Sequence, residues 1–163
     1  MGGLFVKNIF RILVTLVLLF SISVPALAES SAPPASDLSP NPDYYYGTWT
    51  AGISPLSTAI AITNATYNIS KVSSTSVNVS ASTTANQTAD EVGGTIYLQQ
   101  WNGTAWININ SKGFLVYNNS YGSGSTTWTV ASGYYYRTKT VHSAKLDGDT
   151  ASKTNYTGGI LVN

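Results

Sequence analysis

Apolar residues recur at every second position over most of the chain from Ile60 onward. Val77 and Val79 alternate with polar neighbours, and Ile96 and Leu98 repeat the pattern further along. This alternation, in short blocks divided by Gly, Asn, Ser and Asp, is typical of half-buried antiparallel strands. Later blocks cover Phe114 to Tyr117, Ser125 to Val130, Tyr134 to Ala144 and Gly159 to Val162. We therefore predict seven or eight short strands in an all-β, antiparallel two-sheet sandwich.

The connections between these strands carry turn signals. The polar stretch from Ser82 to Asp90 predicts a loop. Asn102-Gly103 lies between two alternating segments and predicts a tight hairpin. In that hairpin Trp101 and Trp106 would lie opposite each other across the strands.

The N-terminus has the pattern of a secretory signal peptide over residues 1–28. Lys7 and Arg11 precede an apolar run from Ile12 to Ile22, and Ala26-Leu27-Ala28 supplies the small residues of a cleavage site. The alternative is an uncleaved membrane anchor, but the apolar run is shorter than the roughly 20 residues that span hydrocarbon. We expect cleavage after Ala28 and a secreted, extracellular protein.

A proline-rich linker is predicted between the signal peptide and the folded domain. Residues 29–43 are rich in Ser, Ala and Pro, which predicts an extended, disordered linker. Residues 44–163 form the predicted sandwich domain. About 135 residues remain after cleavage, which is enough for one domain with its own core. The chain has no cysteine, so that core has no disulfide to support it.

The charge balance argues against two classes of partner. Eight basic residues include the two of the signal peptide, so six remain against seven acidic ones. A nucleic-acid binder needs clustered Lys and Arg, and a membrane-surface binder needs a basic amphipathic helix. Neither is present, so we expect no nucleic-acid partner and no membrane partner after cleavage. An unknown protein or a polysaccharide is the expected partner.

Two segments resemble known families. Ser132-Gly133-Tyr134-Tyr135-Tyr136-Arg137-Thr138 resembles the strand of fibronectin type III and immunoglobulin-like domains that begins with a glycine turn and a corner tyrosine. Ala89 to Leu98, with the Trp-Asn-Gly hairpin and His142, is similar to small secreted proteins of Gram-positive bacteria that have no assigned activity. The resemblance implies an immunoglobulin-like sandwich and a bacterial exported protein, and it transfers no catalytic residue.

Residues able to support catalysis or metal binding are scarce. His142 is the one histidine, and no nucleophile motif accompanies it, so we expect a structural role. A small hydrolase around His142 and Asp149 is the least favoured hypothesis. Asp147-Gly148-Asp149 resembles half of a calcium loop but lacks further ligands, so a plain turn is expected. We predict no enzyme, no catalytic residue, no metal site and no cofactor.

Aromatic side chains are the remaining candidates for ligand binding. Our leading hypothesis is a non-enzymatic interaction or structural domain of unknown ligand, at the cell envelope or in the medium. The alternative is a carbohydrate-binding module that uses Trp49, Trp101 and Tyr135 as a stacking platform, because Trp and Tyr combine a flat apolar face with a polar tip.

Overall fold

The computed structural model describes residues 31–52 and 58–163. The predicted signal peptide and its cleavage site lie outside the described residues. Among the described residues, helix is limited to one 3₁₀ turn, Ala35–Asp37, and no helix is long and apolar enough to cross a membrane. The remaining regular structure consists of strands β1 (Tyr44–Thr50), β2 (Ile62–Ser73), β3 (Ser76–Trp101), β4 (Trp106–Thr129), β5 (Tyr134–Leu146), β6 (Asp149–Tyr156) and β7 (Ile160–Val162).

The seven strands form one curled antiparallel sheet, a half-barrel. Residues 76–85 of β3 pair with β2, residues 91–100 of β3 pair with β5, and β4 pairs with β3 in both stretches. We call β1, β2 and the first stretch of β3 the N-terminal arm, and the second stretch with β5, β6 and β7 the C-terminal arm. The all-β antiparallel prediction is confirmed. The two-sheet sandwich is not confirmed, because β3 and β4 run through both arms and join them into one sheet.

The inner faces of the two arms supply the core. One cluster joins Ile69 and Val79 of the N-terminal arm to Ile96, Leu98 and Tyr136 of the C-terminal arm. A second cluster is built from smaller residues, mostly alanine and valine: Ile60, Ile62, Ala65, Ala85, Ala89, Val92 and Ala144. Burial of each large apolar side chain stabilises the fold by about 1.5–3 kcal/mol relative to exposure. The alternation of Val77, Val79, Ile96 and Leu98 in the sequence thus marks the inward positions of β3.

The predicted loop over Ser82–Asp90 is wrong, because β3 continues through it. Between Thr84 and Ala89 the register advances five residues on β3 and only two on β4, from Tyr121 to Asn119. The surplus residues form a bulge, which bends a strand and increases its twist. Polar residues suit this stretch because the outward side of the strand faces solvent.

The hairpin prediction is confirmed. Trp101 and Trp106 are register partners, and their rings meet edge to face with centroids 5.5 Å apart. Gly103 has a φ of 99°, which favours glycine, and the side-chain oxygen of Asn102 accepts hydrogen bonds from the backbone N–H groups of Thr104 and Ala105. The turn therefore fixes where β3 ends and β4 begins.

Part of the segment predicted as a linker contacts the sheet. Leu38 forms a parallel bridge with Gly159. The Ser39 N–H donates to the Gly159 carbonyl at 2.8 Å, and the Gly159 N–H donates to the Asp37 carbonyl at 2.7 Å. These contacts hold residues 37–39 beside β7. The prediction of an extended, disordered linker over residues 29–43 did not anticipate them.

The outer face of the N-terminal arm carries hydroxyl and amide groups in regular rows. One row runs across four strands through Thr48, Thr66, Ser82 and Ser123, and the next runs through Tyr46, Asn68, Ser80 and Ser125. Within each row a side-chain hydrogen bond joins β2 to β3: the Thr66 and Ser82 hydroxyl oxygens are 2.7 Å apart, and the Asn68 amide donates to Ser80 at 3.0 Å. We call these eight residues the hydroxyl face.

Candidate functional site

The three aromatic residues proposed as a stacking platform lie in three different neighbourhoods. Trp49 packs against the second core cluster, and the Lys153 ammonium lies 4.5 Å from its ring centre. Trp101 is only 8% exposed, and its indole N–H donates to the Ser31 carbonyl. Tyr135 is half-buried opposite Leu161 of β7. No aromatic contact joins any two of the three in the part of the chain that the structure describes.

A different set of aromatic rings shares the outer face of the C-terminal arm. Tyr97, Lys139 and Tyr156 are register partners on β3, β5 and β6. The neighbouring row pairs Gln99 with Arg137. Because residues two apart on a strand point to the same side, these side chains lie together. We call this surface the aromatic–cation face; its members are Tyr97, Trp101, Trp106, Arg137, Lys139 and Tyr156.

Arg137 is the centre of this face. Its guanidinium carbon lies 4.5 Å from the ring centre of Trp106 and 4.9 Å from that of Tyr156, within the range of cation–π attraction. Its Nε donates to Oε1 of Gln99 at 2.8 Å. The side chain is only 16% exposed, so these contacts fix the guanidinium in one position. Burial lowers the pKa of Arg137 and the Asp37 carboxylate opposes the shift, so the group stays charged at neutral pH.

Asp37 reaches this face from the N-terminal segment. Its Oδ2 lies 3.3 Å from a terminal nitrogen of Arg137 and accepts a hydrogen bond of 2.9 Å from the indole N–H of Trp106. The backbone bridge at Leu38 positions the carboxylate. Sequence reasoning placed Asp37 in a linker, and no local signal marks it, since its partners are distant in the chain.

An open cleft of about 370 Å³ lies beside Arg137 and Asp37. Two tyrosine rings line it, Tyr45 and Tyr156, and Tyr156 is 46% exposed. Ser36, Leu38, Thr157 and Gly158 complete the lining. The cleft thus combines exposed aromatic surface with a fixed carboxylate and a fixed guanidinium, which supply hydrogen-bond acceptors and donors.

Tyr156 is not among the residues predicted from the sequence, because the pattern over Asp149–Tyr156 predicted no strand. The available signal was the turn before it. Asp147 and Gly148 have φ values of 51° and 91°, the positive pair of a tight hairpin turn, and this turn joins β5 to β6. The prediction of a turn at Asp147–Asp149 is confirmed. Among the described residues, no three His, Cys, Asp or Glu side chains gather as a metal site would require.

The structure does not bring His142 and Asp149 together. His142 is fully buried on the inner face of β5, and its Nδ1 lies 2.9 Å from the Thr83 hydroxyl oxygen. Asp149 is exposed and pairs with Leu146, four positions along β5, or about 13 Å at the rise of a strand. The imidazole therefore has the buried, hydroxyl-bonded environment of a structural histidine.

Comparisons of the chain with protein-family models, with curated proteins and with solved structures found no match.

Proposed function

We propose that this protein is an exported, non-enzymatic domain that binds polysaccharide outside the cytoplasm through the cleft between Tyr45, Tyr156, Arg137 and Asp37. The observation that carries the proposal is the half-exposed Tyr156 ring at the rim of a cleft that also holds a fixed ion pair. Export by a signal peptide and a Gram-positive bacterial source belong to the same proposal and rest on the sequence.

Sugars offer two kinds of surface, and the cleft has a counterpart for each. The C–H face of a pyranose ring packs on aromatic surface, and the Tyr156 side chain is 46% exposed beside the cleft. The ring hydroxyls both donate and accept hydrogen bonds, so they suit the Asp37 carboxylate and the Arg137 guanidinium. Since Gln99, Trp106 and Asp37 already hold Arg137 in place, little side-chain entropy remains to be lost on binding.

A depletion assay with insoluble polysaccharides tests the proposal. The chain from Glu29 to Asn163 is incubated with bacterial cell walls, chitin, cellulose and starch, and the unbound fraction is measured against protein concentration. We expect saturable retention on one polymer. Substitution Tyr156→Ala removes the exposed ring without opening the core and should weaken retention by at least about tenfold.

Tyr117→Ala is the matched control, because Tyr117 is 63% exposed on β4 and does not line the cleft. It should bind as the wild type does. Equal losses in the two variants would show that exposed tyrosines act without a specific site. Retention of the wild type on none of the polymers would end the polysaccharide proposal and leave a protein partner as the hypothesis to pursue.

A further inference from the structure

The C-terminal half of β4, residues 119–129, is a free strand edge. Among the described residues β4 pairs with β3 and with no other strand. A free edge presents a row of unpaired N–H and C=O groups that can pair with another chain.

The direction of these groups follows from one hydrogen bond. The Val130 N–H donates to the Thr75 carbonyl at 2.9 Å, so the main-chain groups of Val130 point toward β3. Because this direction alternates along a strand, the groups of Ser123, Ser125 and Thr127 point away from β3. Their side chains lie on the outer side of the sheet, and all three are exposed.

This edge lacks the features that protect the other two long edges. Residues 119–129 contain no charged residue and no proline. The edge of β6 carries Asp149 and Lys153, and on β1 the Tyr44 carbonyl already accepts a hydrogen bond from the Ser39 hydroxyl. Charged side chains, proline and a loop that covers the edge are among the means by which proteins prevent edge pairing. Their absence leaves residues 119–129 open to it.

We propose that two copies of this chain pair through these edges, with β4 antiparallel to β4 around a two-fold axis at Gly124. Ser123 then lies opposite Ser125 of the second copy, and Tyr121 lies opposite Thr127. In this register the main-chain N–H and C=O groups that point away from β3 in one copy meet the same kind of groups in the other. No charged side chain of residues 119–129 lies near the axis. A strand pairing with itself around a two-fold gives an isologous, closed dimer.

Continuity of the hydroxyl face selects a second copy as the partner. The face runs from β1 to β4 and ends at this edge with Ser123 and Ser125. Pairing at Gly124 carries the same rows of hydroxyl and amide groups onto the second copy, with the strand spacing of about 4.7–4.9 Å kept across the axis. The inference is independent of polysaccharide binding, because none of these residues lines the cleft.

Sedimentation velocity over a concentration series of the chain from Glu29 to Asn163 tests the pairing. We expect a concentration-dependent dimer. Substitution Ser123→Lys places two lysines across the axis from each other and should weaken the dimer by at least about tenfold. Thr48→Lys adds the same charge to the same face three strands away and should leave the dimer unchanged.

Far-ultraviolet circular dichroism and thermal unfolding establish that both variants are folded, so a monomeric Ser123→Lys is not a folding defect. A wild type that stays monomeric up to 500 µM, roughly the concentration where even weak specific pairs form, overturns the proposal. A dimer that survives Ser123→Lys, or one that Thr48→Lys disrupts equally, also overturns it, because the contact would then lie elsewhere.

Discussion

The Thr83 hydroxyl lies between two polar groups in the core, the Gly93 carbonyl and the His142 imidazole. It donates to the Gly93 carbonyl at 2.7 Å, and it lies 2.9 Å from Nδ1 of His142. A hydroxyl has one proton, so with that proton on the Gly93 carbonyl, Nδ1 of His142 must be the donor to Thr83. The Nε2 atom is then the unprotonated nitrogen, and it has no protein partner in the described part of the chain. His142 is thus a neutral group in an environment that provides no counter-charge.

Burial lowers the pKa of His142 from 6.5 to about 4. Between these values the unfolded chain binds a proton that the folded chain does not, so stability falls as the pH falls through this window and levels off below it. We expect a loss of about 3 kcal/mol in the free energy of unfolding between pH 6.5 and pH 4 from this group. Urea unfolding at a series of pH values measures it.

The control for this pH dependence is His142→Gln. The two proteins share every other side chain, so the difference between the two curves isolates the histidine. We expect the variant to lack most of the slope between pH 4 and pH 6.5. Parallel curves would contradict a buried neutral imidazole.

At the scale of the strand, two glycines of β4 occupy opposite environments. A Cβ on Gly122 would lie 2.7 Å from the Val92 carbonyl oxygen, whereas a Cβ on Gly113 meets nothing within 4 Å. We expect Gly122→Ala to destabilise the fold by about 1–3 kcal/mol, because the backbone must shift at the bend.

Gly113→Ala on the same strand should be neutral or slightly stabilising, since alanine restricts the unfolded chain. Thermal unfolding of the two variants distinguishes the cases. A loss of stability in Gly113→Ala equal to that in Gly122→Ala would show that β4 tolerates no side chain at either place, contrary to the close contact that Gly122 has and Gly113 lacks.

The strands show which features a local pattern can predict. Alternation marked the inward residues Val77, Val79, Ile96 and Leu98 because one-sided burial has the period of the pleat. Strand length was not predictable in this way. The stretch Ser82–Asp90 is polar because its outward face is solvated, and polarity alone does not distinguish a bulged strand from a loop. Strand pairing was not predictable either. β2 and β5 pair with different stretches of the same edge of β3, and only long-range contacts determine which strand pairs with which stretch.

At the scale of the whole molecule, the N-terminal segment contributes to both stability and the site. Asp37 makes the ion pair with Arg137 and accepts the indole hydrogen bond of Trp106. We expect Asp37→Ala to reduce the free energy of unfolding by about 1–3 kcal/mol, because it removes one acceptor from the half-buried Arg137 guanidinium and the acceptor of the half-buried Trp106 indole N–H. Urea unfolding followed by tryptophan emission measures the loss.

Asp43→Ala is the matched control for Asp37. Asp43 is also an acidic residue of this segment, but its ion pair with Lys71 spans 3.7 Å and its side chain is 67% exposed. An exposed pair contributes little, so this variant should stay close to the wild type. If Asp37→Ala also matches the wild type, residues 31–39 do not hold the position described.

The site was predictable only where it is local. The Trp101–Trp106 pair followed from a turn signal. The cleft did not, because it combines β1, β5, β6 and the N-terminal segment, and the Asp37–Arg137 contact joins residues one hundred positions apart. Such a contact depends on the completed sheet, so neither composition nor spacing contains it.

The bulge between Thr84 and Ala89 has one further consequence. It divides the β3–β4 hairpin into two stretches, so the hydroxyl face and the aromatic–cation face use different residues of the same two strands. No residue belongs to both surfaces, and substitutions at distant sites without shared partners add independently. Each surface can therefore change under selection without altering the other. A change in the core affects both, because the two arms share it.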